Sequence, residues 1–354
     1  MEETEVLIIG QGLAGTCLSW WLHQAGISFK IIDSPDLNSA SLRAAGLINP
    51  ITGRRLVKTW MIEELLPFAE NMYRQMGLLL GESLVRGVSL IDLFPSVQML
   101  QAFTERYKED PSYLLPGEDR EKYAGSFRYE LGWGAIQPCL LVYVEKLLHL
   151  WRQWLKQNGH LTESHFEINK LSLGAYGFVY SDIHARHIVF CDGHASAHNP
   201  WFKNLPFAPN KGEGLLVEIK GLDGSLVYKK GMSLIPYRKD TFWLGSSYEW
   251  TFENDQPSEN FLKNAANWLN NTLKLPFTIL EHFAAIRPAT LERRPFVGFH
   301  PQNPRIGILN GFGTKGCSLA PYFAKQIVDR IKGEGEIHPL ADIGRFEKIL
   351  TRQP

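Results

Sequence analysis

Apolar and polar positions along the chain follow two periods. Residues 5–9 (EVLII) form a short β-branched run of the kind that builds a buried parallel strand. Residues 16–24 read as a helix that Gly26 stops, and residues 29–32 read as a second strand ending at Asp33. Further on, residues 140–157 predict an amphipathic helix and residues 188–190 a strand that leads to Gly193. The runs 215–219, 232–236 and 241–245 predict a mixed or antiparallel sheet, with a helix over 259–273 after them. A strand over 306–309 and an apolar helix over 319–331 close the pattern. No internal repeat and no low-complexity tract interrupts it.

The first strand runs directly into Gly10-Gln11-Gly12-Leu13-Ala14-Gly15. This is GxGxxG in its full context of strand, glycine turn, helix, strand and acid. Gly10 permits the tight turn, Gly12 permits close backbone approach to a pyrophosphate, and Gly15 permits helix and strand to pack together. Free N–H groups and the positive dipole end of the helix then face the phosphates. Asp33 stands where a ribose 2′-hydroxyl is recognised, which argues against a 2′-phosphate. NAD and FAD both satisfy this arrangement. A second glycine-rich turn, Asn310-Gly311-Phe312-Gly313-Thr314-Lys315-Gly316-Cys317, again joins a predicted strand to a helix. It aims another helix N-terminus at a cofactor, where it would support negative charge on a reduced flavin ring. Between them lies Ser39 to Pro50 (SASLRAAGLINP), whose small residues let the main chain run along a cofactor. Ser41 and Arg43 are the candidate donors to a pyrophosphate.

Composition narrows the partners. The 354 residues are 44% hydrophobic, enough for a large core or two domains, and 12% aromatic, which excludes disorder. With 37 basic and 37 acidic residues the formal charge is zero. That argues against nucleic acid or anionic lipid as a chain-wide partner. The apolar run 13–22 is too short to span a membrane, and Glu2, Glu3 and Glu5 stand where a secretory leader needs positive charge, so a cytoplasmic location is expected. Cys17, Cys139, Cys191 and Cys317 are widely spaced and predict neither disulfides nor a metal site. The histidines at 184, 187, 194 and 198 flank a strand and Gly193, and no metal is expected there.

The opening GQGLAG with Asp33, the SLRAAGLINP segment and the C-terminal GFGTKGCSLAP together resemble FAD-dependent oxidoreductases of the D-amino acid oxidase and glycine oxidase type. GWGAIQP at 132–138, VFCDG at 189–193, and Ile286-Arg287-Pro288 leading to PFVG at 295–298 extend the resemblance over nearly the whole chain. The C-terminal turn and Gly245-Ser246-Ser247-Tyr248 are most similar to the flavin domain of the bifunctional bacterial enzyme that modifies tRNA wobble uridine.

The resemblance implies an α/β fold with a discontinuous Rossmann-type FAD-binding domain (1–80, 136–213 and 285–354). A substrate domain on a mixed or antiparallel sheet (81–135 and 214–284) would stand beside it, in the glutathione-reductase-2-like manner. FAD, held non-covalently, would meet Gly10, Gly12, Leu13, Ala14, Gly15, Asp33 and Ser34. It would also meet Ser41, Arg43, Ala45, Gly46, Leu47, Gly193, Gly313, Thr314, Lys315 and Gly316, with strand residue Ile168 against the adenine. Arg287 would hold a substrate carboxylate, aided by Lys315, with Tyr237 and Tyr248 lining the site from strand ends. Cys317 is read as a small packed thiol. The implied reaction is hydride transfer from the C–N carbon of a small amine or amino acid (glycine, sarcosine or a D-amino acid) to flavin N5, with O2 or another electron acceptor reoxidising the flavin. The alternatives are modification of a tRNA wobble uridine and a catalytically silent flavin-binding protein.

Overall fold

The structure is a computed structural model in which residues 2–174 and 177–351 are described. Residues 1, 175–176 and 352–354, which fall in the expected cofactor segments, lie outside them. Two sheets organise the chain. In the first, the opening strand Glu2–Ile9 lies between Phe29–Asp33 and Ile183–Phe190, parallel to both. Asn303–Asn310 continues the parallel set on the far side of Ile183–Phe190, and Leu161–Glu163 pairs with Phe29–Asp33. The central strands turn apolar toward their C-terminal ends, at residues 6–9, 188–190 and 306–309, where both faces are covered. One face packs on the helices Leu13–Gln24, Ile62–Leu80, Val144–Gln157 and Gly316–Lys332 through Leu18, Trp20, Trp151 and Phe323. The other packs on Phe202, Phe296 and Phe346.

Parallel register has a functional consequence. Ile9 pairs with both Ile32 and Phe190, and Phe190 pairs with Ile308, so four strands end at one edge. Gly10, Asp33, Gly193 and Gly311 all follow from these ends, and open α/β sheets bind ligands along such an edge.

The second sheet runs in the order Thr278–Arg287, Asn210–Glu218, Thr241–Gly245, Met232–Arg238, Val227–Lys230, Val85–Leu93, Trp133–Val142, Leu47–Ile48. It is antiparallel except where Val227–Lys230 meets Val85–Leu93. Helix Glu259–Thr272, capped by the Ser258 hydroxyl, covers one face through Phe261, Ala265 and Leu269.

Three sequence expectations change. Residues 140–142 belong to the strand Trp133–Val142, paired with Leu47–Ile48 and Val85–Leu93, and the helix starts at Val144. The apolar run LLVYV is continuous across that junction, so periodicity has nothing with which to mark it. Ile168 lies in a short 3-10 turn, Ile168–Lys170, and is 39% exposed, not in a strand. The expected domain boundaries at 135/136, 213/214 and 284/285 each fall inside a strand of the second sheet: Trp133–Val142, Asn210–Glu218 and Thr278–Arg287.

Candidate active site

The glycine turn is shaped by close backbone approaches. Gly10 has φ +98°, and a Cβ there would sit 2.7 Å from the Cys191 carbonyl oxygen. A Cβ on Gly15 would lie 1.9 Å from the Gly10 carbonyl oxygen, so helix and strand touch at that point. Gly12 caps the helix Leu13–Gln24 without a side-chain bond, and no acid occupies the first turn. The Leu13 N–H donates to Ser41 Oγ at 3.0 Å, whereas those of Ala14 and Gly15 have no acceptor among the described residues. Ser34 is exposed just past Asp33.

Asp33 is more heavily engaged than its sequence role requires. Its Oδ1 accepts the Gln11 N–H at 2.8 Å, and its Oδ2 lies 2.6 Å from Arg152 Nη1. Arg152 also donates to Gln11 Oε1 and Glu163 Oε1, both at 2.9 Å, while its buried Nη2 has no partner among the described residues. Arg152 and Glu163 were not legible in the sequence, because a helix and an edge strand bring them to Asp33 from more than a hundred residues away. Nearby, Asn310 Nδ2 donates to the Gly193 carbonyl (2.8 Å) and to Ser196 Oγ (2.7 Å), and Ser196 in turn donates to Asp192. Burial pushes the Asp192 carboxyl up to about 6.

The second glycine turn meets the first. A Cβ on Gly316 would lie 3.1 Å from the Leu13 side chain, so the two helix starts converge. Helix Gly316–Lys332 also lacks a side-chain cap and first-turn acids. Gly46, at φ +80°, passes so close to the Val142 carbonyl that a Cβ would be 2.0 Å from its oxygen. Leu47, Thr314 and Lys315 come together in a cavity of about 80 Å³ that Asn49, Thr52, Thr59 and Ser318 also line. Ala45 packs with Leu47 against the cluster around Trp243 and Phe283. Arg43 differs from expectation: it turns to the second sheet, pairing with Glu281 at 2.6 Å over the Phe283 ring. An arginine held by a carboxylate is no longer a free pyrophosphate donor. Two uncapped helix starts with free N–H groups, joined by a glycine-lined path, suit a long anionic dinucleotide.

Arg287 stands at the end of its strand, opposite Asn210. Its Nη1 donates to Asn210 Oδ1 at 2.7 Å and to the Ser247 carbonyl at 3.1 Å. The Tyr248 ring centroid is 4.7 Å from its Cζ. Among the described residues no carboxylate pairs with it, and burial lowers its pKa. The Gly313 N–H donates to the Pro288 carbonyl at 3.1 Å, which ties the Arg287 segment to the second glycine turn. Burial, then the neighbouring Arg294 and Arg293, lower the Lys315 pKa. The Cys317 thiol is pushed up to about 12 by burial, as suits a packed side chain.

Tyr237 is not part of this group. It lies on the hairpin side of its strand, where Arg238 pairs with Thr241 and Thr241 with Glu218. Arg287 pairs with Asn210, eight residues back along the same strand (218 − 210), so the two ends are ~26 Å apart at 3.3 Å per residue. The Tyr237 hydroxyl instead donates to Glu145 at 2.6 Å. Among the described residues no cluster of three His, Cys, Asp or Glu side chains is placed to hold a metal ion, and no helix is long and apolar enough to cross a membrane.

Comparison with known proteins places this geometry. A glycine oxidase from Bacillus licheniformis is 28% identical over 362 residues, covering 93% of each chain. The crystal structure of glycine oxidase from Geobacillus kaustophilus superposes with a TM-score of 0.79 at 16% identity, over the full length of both chains. That of iminodiacetate oxidase from Chelativorans sp. BNC1 gives 0.73 at 21% identity, over 95% of this chain and 97% of the other. The profile of the FAD dependent oxidoreductase family (DAO) matches residues 5–330. The chain is therefore a member of the DAO family of FAD-dependent oxidoreductases.

Proposed function

We propose that this enzyme oxidises the C–N bond of a small amine that carries a carboxylate, of the glycine, sarcosine or D-amino acid type. One observation carries the reading: among the described residues Arg287 presents a half-buried guanidinium with no acidic partner, next to the glycine turn that begins helix Gly316–Lys332. A guanidinium pairs a planar carboxylate with two parallel hydrogen bonds, which fixes the α-carbon in one place. Lys315 adds a second cation, and Tyr248 walls the site. FAD, held along Gly10 to Gly15, Ser41, Gly46 and Gly313 to Gly316, supplies a two-electron acceptor. The substrate loses two electrons and two protons to become an imine, and water cleaves the imine to a carbonyl compound and an amine or ammonia. The chain's contribution is orientation and charge support, with no side chain required as a base at the reacting carbon.

The relatives' names fit this class: glycine and iminodiacetate are both amines bearing carboxylates. The deciding experiment is anaerobic mixing of the holoenzyme with glycine, sarcosine, D- and L-amino acids and a carboxymethylaminomethyl nucleoside, followed by visible absorbance. Bleaching by a small amino acid supports the proposal. A second reading, a tRNA wobble uridine as substrate, draws on the exposure of Tyr248 (58%) and Trp250 (56%) near Arg287, since exposed aromatics stack bases. Bleaching by the nucleoside alone would favour it. A flavin that no compound reduces would point to a silent binder.

A further inference from the structure

We propose that Asn210 and Gly212 are positioning residues for Arg287, holding its guanidinium through neutral contacts so that its whole charge is left for the substrate. The inference rests on the carboxylate-binding role proposed above. Both hydrogens of Nη1 are spent, one on Asn210 Oδ1 (2.7 Å) and one on the Ser247 carbonyl (3.1 Å), which fixes the guanidinium plane and leaves Nη2 and Nε for a ligand. Gly212 makes room for it: a Cβ there would stand 1.7 Å from Nη2 and 2.0 Å from Cζ. The Tyr248 ring bounds the group 4.7 Å from Cζ. Every one of these contacts is uncharged. Arg43, Arg152 and Arg345 are by contrast held by Glu281, by Asp33 and Glu163, and by Glu292.

Asn210 is 1% exposed, and among the described residues its buried Nδ2 has no partner. An unsatisfied donor in that position is costly, and the amide justifies its place through the oxygen it turns to Arg287. The Ser247 carbonyl is itself placed by the strand beside it. Ser247 Oγ accepts the Glu213 N–H at 2.9 Å, and Lys211 and Glu249 exchange two backbone bonds of 2.9 Å. Aspartate at 210 would have the same shape and would keep the acceptor, but it would neutralise Arg287.

The test titrates the holoenzymes of wild type, Asn210→Asp, Gly212→Ala and Arg287→Ala with acetate, read by perturbation of the flavin absorbance. Asn210→Asp is expected to weaken acetate at least tenfold, and to raise KM for an amino-acid substrate similarly with kcat within about threefold. Gly212→Ala, which displaces the guanidinium without touching an acceptor, is expected to weaken acetate likewise. A purely structural asparagine would accept the isosteric change without effect. Wild-type acetate affinity in Asn210→Asp, or in folded Gly212→Ala should the first variant not fold, overturns the proposal if Arg287→Ala has lost acetate. Wild-type affinity in Arg287→Ala overturns the carboxylate reading itself, and this inference with it.

Discussion

Replacing Gly15 with alanine should separate the dinucleotide turn from the rest of the fold. A Cβ at 15 would lie 1.9 Å from the Gly10 carbonyl oxygen, and real contacts of this kind begin at 3.0 Å, so helix and turn must part by about 1.1 Å (3.0 − 1.9). The helix itself gains from the change, because alanine is favoured over glycine in a helix by about 1 kcal/mol. Overpacking costs roughly 1–3 kcal/mol, so net stability should fall by no more than about 2 kcal/mol. Cofactor binding is hit harder. Ala14 and Gly15 offer the two unpartnered N–H groups at the helix start, and a displacement of that size takes both beyond hydrogen-bonding range of a phosphate. Charge-assisted bonds are worth about 1.5–3 kcal/mol each, so even the low end for two, about 3 kcal/mol, weakens FAD more than about 100-fold. Quenching of FAD fluorescence on titration into apoprotein gives the constant, and circular dichroism monitors the fold. An apoprotein of native spectrum that binds FAD within threefold of wild type would refute the role assigned to this turn.

Three further outcomes are expected. Asp33→Ala removes the acceptor proposed for the ribose and leaves Arg152 with Glu163 as its carboxylate, so FAD should be lost on gel filtration where wild type retains it; equal flavin occupancy would contradict this. Asp192, whose carboxyl is raised from 3.8 to about 6, contributes stability that is fully present below pH 3.8 and is lost as pH rises through 6. Urea midpoints of wild type should therefore fall over that window relative to Asp192→Asn, and parallel curves would count against a buried carboxyl. Glu213→Ala strips a fully buried carboxylate from Lys211, His282 and Ser258, which should cost about 3–5 kcal/mol of unfolding free energy; a loss below 1 kcal/mol would show that the ions are not buried as described.

What could be read before folding was local. Strand, glycine turn, helix and acid lie within 33 residues, and each step has its own residue signature, so the first βαβ unit was legible. Arg287 was reachable through the family resemblance of its IRP segment, but its setting was not. Asn210 is 77 residues away, and only the register between two antiparallel strands makes the two neighbours. Arg152 lies 119 residues from Asp33, and only the packing of its helix against the first sheet brings the two together. The tyrosines are a different case. Both sit at strand ends, but Lys239-Asp240 forms a two-residue hairpin loop, with Asp240 at φ +55°. That loop consigns Tyr237 to the closed end of the hairpin, and Tyr248 to the open end. A two-residue loop implies as much, because it leaves the closed and open ends of the hairpin at opposite edges of the sheet. Arg43 misled because a donor beside a glycine turn and a partner for a distant glutamate look alike until the second sheet is in place.

The meeting of the two helix starts bears on how the chain is made. Gly15 and Gly316 are 301 residues apart (316 − 15), so the two helix starts of the proposed cofactor cradle are made far apart in time. At roughly 5–20 residues per second, a ribosome exposes the first half of the cradle about 15–60 seconds before it releases the second. During that interval the nascent turn has no partner helix at Leu13. On the FAD site proposed above, capture waits for Gly316, and a chain truncated ahead of it should emerge colourless however well its opening unit folds.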